Sequence, residues 1–231
     1  MKVDNVEISW LGHSGFLIKN SSPEGVSSSE GKIIYIDPYN IKENSEKADL
    51  VLITHSHYDH CSVADIKKII KEGTKIVVTA DCQSKITRFD IPIKMEVVEP
   101  GQELVCWGIK ISIFPAYNVD KPFHAKDESW IGYLIKINNL LIYHAGDTDV
   151  IPEMQKLTGY KQHGKKFIAL LPVGGRLTMS VEEAVEAAKI IKPSLAIPMH
   201  YGSVVGSEED AKEFVRLCKE EGINAEILEK E

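Results

Sequence analysis

His55-Ser56-His57-Tyr58-Asp59-His60 places three imidazoles and a carboxylate within six residues, directly after the apolar run Ala48 to Thr54. On a strand, alternate side chains point to opposite faces, so these groups could not all converge. In a tight loop at the carboxyl end of a strand they can, and that is where open α/β sheets usually build sites. The preceding run reads as a strand buried on both faces. Ser62 with Asp65 three residues later reads as a capping box, opening a helix that buries Ile66, Ile69 and Ile70. Imidazole with carboxylate suits zinc, manganese, iron or nickel, whereas calcium and magnesium take oxygen ligands almost alone. The bland alternative is a hydrogen-bonded polar loop; three of the chain's eight histidines falling in one loop weighs against it.

Two further segments end apolar strands in the same manner. Tyr143-His144-Ala145-Gly146-Asp147-Thr148-Asp149 and Ile197-Pro198-Met199-His200-Tyr201-Gly202 each set a candidate ligand beside a glycine suited to a close turn. Around them the chain reads as short strands at Glu7 to Trp10, Gly15 to Lys19, Lys32 to Asp37, Lys75 to Thr79, Lys94 to Val98, Glu103 to Trp107, Lys110 to Pro115, Trp130 to Ile137 and Leu140 to His144. The turns at Pro100-Gly101, Trp107-Gly108 and Asn138-Asn139 separate several of them. The last third alternates: strand Phe167 to Pro172, helix Ser180 to Ile191, strand Ser194 to Pro198, helix Ser207 to Gly222, strand Asn224 to Leu228. Both helices open on a capping box, Ser180 with Glu183 and Ser207 with Asp210. Asn20 to Gly31, rich in Ser, Glu and Gly, reads as a mobile hairpin loop, and Lys161 to Lys166, with His163, as a solvated basic turn. Strands with interspersed helices in both halves predict a four-layered αββα sandwich of α/β class, taken as a single domain over residues 1–231.

Composition bounds the function. The chain has 231 residues, 43% hydrophobic and 26% charged, with net charge −7 and four widely separated cysteines. Such a balance excludes disorder and offers no basic footprint for nucleic acid. No apolar stretch approaches the ~18 residues of a membrane span, and the N-terminus lacks a signal-peptide core. A soluble, cytoplasmic protein without disulfides is therefore expected.

The order HxHxDH, then Gly-Asp after a strand, then a late His after another, resembles the metallo-β-lactamase superfamily from about Trp10 to Gly202. Gly12-His13-Ser14, Asp37-Pro38-Tyr39, Gly132-Tyr133, Leu171-Pro172-Val173-Gly174-Gly175 and Pro198-Met199-His200-Tyr201-Gly202 look like its branch that includes L-ascorbate-6-phosphate lactonase. The resemblance implies that His55 and His57 bind one metal, that Asp59, His60 and His200 bind a second, and that Asp147 bridges both. Relatives give the first metal a further His from an A-x-H segment; here Ala116-Tyr117-Asn118 puts Asn118 there, an amide that zinc holds poorly. Either that ligand is lost, or water replaces it, or His124 of Pro122-Phe123-His124 reaches in. His13 lines the pocket, adds a ligand, or is a hydrogen-bonded turn residue; His144 reads as a buried histidine that orients a ligand. Cys61 reads as a small apolar residue as readily as a neighbour of the metal. Tyr201, Asn118 and Arg176 are the candidate substrate-pocket residues, Arg176 for an anionic group, with a surface arginine as its default.

Two divalent cations, zinc first in expectation, bring four positive charges, of which Asp59, Asp147 and a bridging hydroxide return three. The expected function is a metal-dependent hydrolase in which a metal-bound hydroxide attacks a small anionic ester, lactone or phosphodiester. Asp59 and Asp147 then orient the attack while His124, His13 or Tyr201 steady the substrate. The alternatives are a metal-loaded scaffold that binds a metabolite or partner without turnover and, against the charge balance, a nuclease of phosphodiester chains. The sequence leaves room for a homo-oligomer.

Overall fold

The computed structural model describes residues 1–21, 31–87, 89–160 and 165–231. Most of the expected mobile loop Asn20 to Gly31, and His163 with the greater part of the basic turn, lie outside the described residues. The chain divides into two compact units, residues 1–98 with 228–231, and residues 99–227.

The first unit is a seven-stranded mixed sheet in simple chain order. Strands β1 (Lys2–Val3), β2 (Val6–Gly12), β3 (Gly15–Asn20) and β4 (Lys32–Ile36) run antiparallel; β5 (Leu50–Leu52), β6 (Lys75–Val78) and β7 (Lys94–Val97) then pair parallel from β4 onward. Helix α1 (Val63–Ile69) and the short α2 (Gln83–Ile86) complete it. Ile66 and Ile69 are fully buried in one apolar cluster with Tyr35, Val51, Ile76 and Val78, because these alternate strand positions project to one face of the sheet. Leu50 and Leu52, on the alternate positions, are buried as well, as the unbroken apolar run requires.

The second unit repeats the plan. Strands β8 (Glu103–Cys106), β9 (Ile109–Pro115), β10 (Ile131–Ile137) and β11 (Leu140–His144) are antiparallel, and β12 (Lys166–Pro172) and β13 (Leu195–Met199) continue parallel from β11. Helix α3 (Val181–Ile191) packs on β12 and on α4 (Glu208–Glu220).

The α/β class and the expected strands are present, with ends displaced by a residue or two. Two expectations are corrected. Asn224 to Leu228 is not a strand: a single parallel bridge joins Ala225 to Ala196, and the chain then leaves the sheet edge. At α1, Ser62 accepts from the Asp65 backbone N–H at 3.4 Å, but the Asp65 carboxylate turns to Asn40 N, Ile41 N and Lys68, so the box is made by half. Both boxes expected at α3 and α4 are complete.

Candidate metal centre

In the first unit the ligand-bearing loops follow the parallel strands. Asp37, after β4, is fully buried and accepts from Thr54 N at 2.8 Å, Thr54 Oγ1 at 2.6 Å and His60 Nδ1 at 2.8 Å. The last bond fixes a tautomer: with its hydrogen on Nδ1, His60 presents the Nε2 lone pair. Thr54 spends its one hydroxyl hydrogen on Asp37, so toward His55 Nδ1, 3.0 Å away, it can only accept. His55 therefore also presents Nε2, which lies 3.1 Å from Nδ1 of the exposed His57. Asp59 Oδ2 stands 2.9 Å from His13 Nε2 and 3.8 Å from His60 Nε2. Two hydrogen-bonding residues, Asp37 and Thr54, thus leave the Nε2 atoms of His60 and His55 as lone-pair donors to a cation rather than hydrogen-bond donors.

The second unit does the same with a different brace. His124 Nδ1 lies 2.8 Å from Leu177 O, so it carries the hydrogen and donates; Nε2 then faces Asp147 Oδ2 at 3.3 Å. His200 Nε2 approaches the same carboxylate oxygen at 3.0 Å. An imidazole lone pair set against a carboxylate repels unless a proton or a cation lies with them, and a donor set of two imidazoles and a carboxylate is that of a transition-metal site. Asn118 donates its Nδ2 to Leu177 O at 2.8 Å, and its N–H donates to His124 O at 2.8 Å. Its place in the A-x-H pattern is taken up with holding the loop that presents His124, while its own Oδ1 is buried with no hydrogen-bond partner.

Among the described residues, four of the ten non-glycine positions with positive φ fall in this group. His13, Asp37, His124 and His200 have φ of +53°, +43°, +52° and +60°. Such values are uncommon for residues with a Cβ and persist only where surroundings impose them. Trp10 Nε1 holds the His13 carbonyl at 2.9 Å, and the Trp130 ring lies 5.3 Å from that of His124. At Gly174 a Cβ would stand 2.6 Å from His200 O and 3.0 Å from His200 Nδ1, so glycine is required for that approach.

The other predicted residues fall as follows. His144 is buried and accepts the Gly146 N–H on Nδ1 at 3.2 Å, shaping the turn before Asp147. Tyr201 is buried, and burial together with Glu208 raises its phenol to about 12. Arg176 is exposed, one residue from the Leu177 carbonyl. Cys61 is buried in the apolar cluster under the metal loop, its thiol paired with that of Cys82. Sequence reasoning missed Asp37 and Thr54 as orienting groups, although an acid ending an apolar strand just before Pro38 was a usable signal. The Leu177 carbonyl left no signal at all. It also missed Asp149, whose carboxylate accepts from Val119 N at 2.9 Å and pairs with Lys121, tethering the segment between Asn118 and His124.

Residues 7–200 match the family model described as a β-lactamase superfamily domain. Among curated relatives, a UPF0173 metal-dependent hydrolase from Thermococcus kodakarensis is 32% identical over 96% of this chain and 95% of its own. Among solved structures, a protein from Parabacteroides distasonis is similar with TM-score 0.80 and 28% identity, over 98% of this chain and 94% of that one. Igni18, a metallo hydrolase from Ignicoccus hospitalis, is similar with TM-score 0.72 and 26% identity, over 97% and 95%. Histidines and aspartates gathered in loops after strands, a family model spanning most of the chain and whole-length relatives agree: this chain belongs to the metallo-β-lactamase superfamily.

Proposed function

We propose that the chain is a metal-dependent hydrolase of a small anionic substrate that works with two divalent ions. The observation that carries this reading is the pair of imidazoles, His124 and His200, converging on one oxygen of buried Asp147. Family membership and the relatives' description as metal-dependent hydrolases support it. Divalent ions in such a donor set supply an acidified water and a positive field for a developing oxyanion. The residues' own contributions are orientation and charge. Asp37, Thr54 and the Leu177 carbonyl hold the Nδ1 hydrogens of His60, His55 and His124 and so aim Nε2 of each at the ions; Asp59 and Asp147 place carboxylate oxygens where a water's proton can be held. Arg176, exposed beside Leu177, is the cation for the substrate's anionic group.

Ester, lactone and phosphodiester substrates all make this demand. The resemblance to the ascorbate-6-phosphate lactonase branch favours a small carbohydrate lactone or phosphate, and the net charge of −7 disfavours nucleic acid. The test is turnover of a panel of lactones and phosphodiesters by zinc- or manganese-loaded protein, with metal content measured, beside Asp59→Ala. Metal-dependent hydrolysis lost in the variant supports the proposal. Stoichiometric metal with ligand binding but no turnover would replace it by a non-catalytic scaffold.

A further inference from the structure

A cavity of about 500 Å³ opens in the second unit, and none of the metal-centre histidines or aspartates lines it. Its walls are aromatic: Phe114 from β9, Tyr117 and Trp130 from the ends of the His124 loop, and Tyr160 at the rim. Its charges are unevenly committed. Glu153 accepts from the Tyr117 hydroxyl at 2.9 Å and pairs with Lys126, whose ammonium also lies 4.5 Å over the Tyr117 ring. Glu103 is bound by Lys110 at 2.8 Å and by Ser112 at 2.9 Å. Both carboxylates in the wall are therefore neutralised within the protein, and among the described residues lining the cavity Lys156, exposed at the rim, is the cation left over. Behind Phe114, the Tyr143 ring meets it edge to face at 5.8 Å, and the Tyr143 hydroxyl is buried with no hydrogen-bond partner.

We propose that this cavity is a second ligand site, built for a small aromatic anion whose ring lies among Phe114, Trp130 and Tyr160 and whose carboxylate or phosphate meets Lys156. Ring-on-ring contact rewards a flat apolar body, and a lone ammonium at a half-wet rim rewards one negative charge beside it. An aliphatic anion lacks the first contact and a neutral arene the second. The site is separate from the chemistry proposed above, yet its Trp130 wall touches His124, so a bound ligand sits directly behind the metal-binding loop.

Indole-3-acetate is a suitable probe, with cyclohexaneacetate and indole-3-ethanol as the aliphatic and neutral controls. Titration of the full chain by calorimetry, in metal-loaded and chelator-treated forms, should give saturable one-to-one binding of indole-3-acetate in both, several-fold tighter than either control. Lys156→Glu should weaken it about tenfold and Tyr160→Ala about fivefold, near 1.4 and 1 kcal/mol, with far-UV spectra and metal content unchanged. The proposal is overturned if no saturable binding occurs, if neither substitution alters the affinity, or if metal removal abolishes binding and so assigns the probe to the metal centre.

Discussion

At the scale of single residues, the centre is a problem of tautomers. A histidine binds metal through a bare nitrogen, and which nitrogen is bare depends on what the other one bonds. The motif HxHxDH made the candidate ligands legible as a cluster of imidazoles after a buried strand; the groups that orient them were less so, because a backbone carbonyl such as Leu177 O has no sequence signature. Asp37→Ala removes the acceptor of three buried donors, His60 Nδ1 among them. It should cost about 3 kcal/mol, a fall in Tm of roughly 6–12 °C in apo protein by thermal circular dichroism, and should lower bound metal on dialysis. A Tm within two degrees of wild type, about the effect of 1 kcal/mol at this size, would show that Asp37 orients nothing. Asn118 and His124 separate by the same logic. His124→Ala takes away a nitrogen on Asp147 and should lower metal affinity by at least about tenfold, roughly the loss of one ligand-grade interaction. Asn118→Ala removes only a brace of Leu177 O and should retain most of the metal. Elemental analysis after dialysis against graded chelator reads both, and equal losses would place Asn118 among the ligands.

At the scale of elements, the sequence was read best where one periodicity or one cap decides the outcome. Ser180 and Ser207 close complete capping boxes: Glu183 accepts from the Ser180 N–H at 2.7 Å even while Lys121 pairs with the same oxygen, and Asp210 accepts from the Ser207 N–H at 2.7 Å. At α1 the same pattern was half right. Asp65 is claimed instead by the backbone N–H groups of Asn40 and Ile41, contributed by a loop that local sequence cannot place. The expected strand at Asn224 to Leu228 failed for a related reason, since its alternation has only Ala196 opposite it and pairing stops after one bridge. The cap at α4 sets a plain magnitude: Ser207→Ala should lower stability by about 1 kcal/mol, seen as a drop of roughly 2–4 °C in Tm. Asp65 sets a pH dependence. Burial pushes its carboxyl up, but Ser62, Lys68 and the Asn40 N–H outweigh burial and hold it below the ordinary range. A depressed folded value means the stabilisation is present above the unfolded value of about 3.9 and is lost as pH falls through the lower folded one. Asp65→Asn should therefore melt below wild type at neutral pH, and the gap should narrow below about pH 4, both proteins being compared without metal. A gap that is constant with pH would mean that the carboxylate charge is idle.

At the scale of the whole molecule, the two units share one plan: an antiparallel meander feeding parallel strands, with the site residues gathered largely at the carboxyl ends of the parallel strands. That placement has a physical cause, because loops leaving parallel strands at one edge emerge side by side and can pool their side chains. Asp37 and the His55 to His60 loop follow β4 and β5; Asp147 and His200 follow β11 and β13. The two candidate carboxylates give a prediction. Asp59 belongs to the first unit and Asp147 to the second. If they serve separate centres, each substitution to Ala should remove its own metal, and their effects on metal content and on rate should multiply in the double variant. If they serve one reaction, either substitution should abolish most turnover, and the double variant should be scarcely slower than the worse single one, because groups that act as a unit are not additive. Bound metal also stabilises the folded chain by mass action, by about 2.7 kcal/mol at a hundredfold excess over Kd, so the rise in Tm on adding zinc should shrink in both single variants. Multiplicative rates, with a zinc-induced rise left intact in either variant, would mean that the two sets of residues work apart.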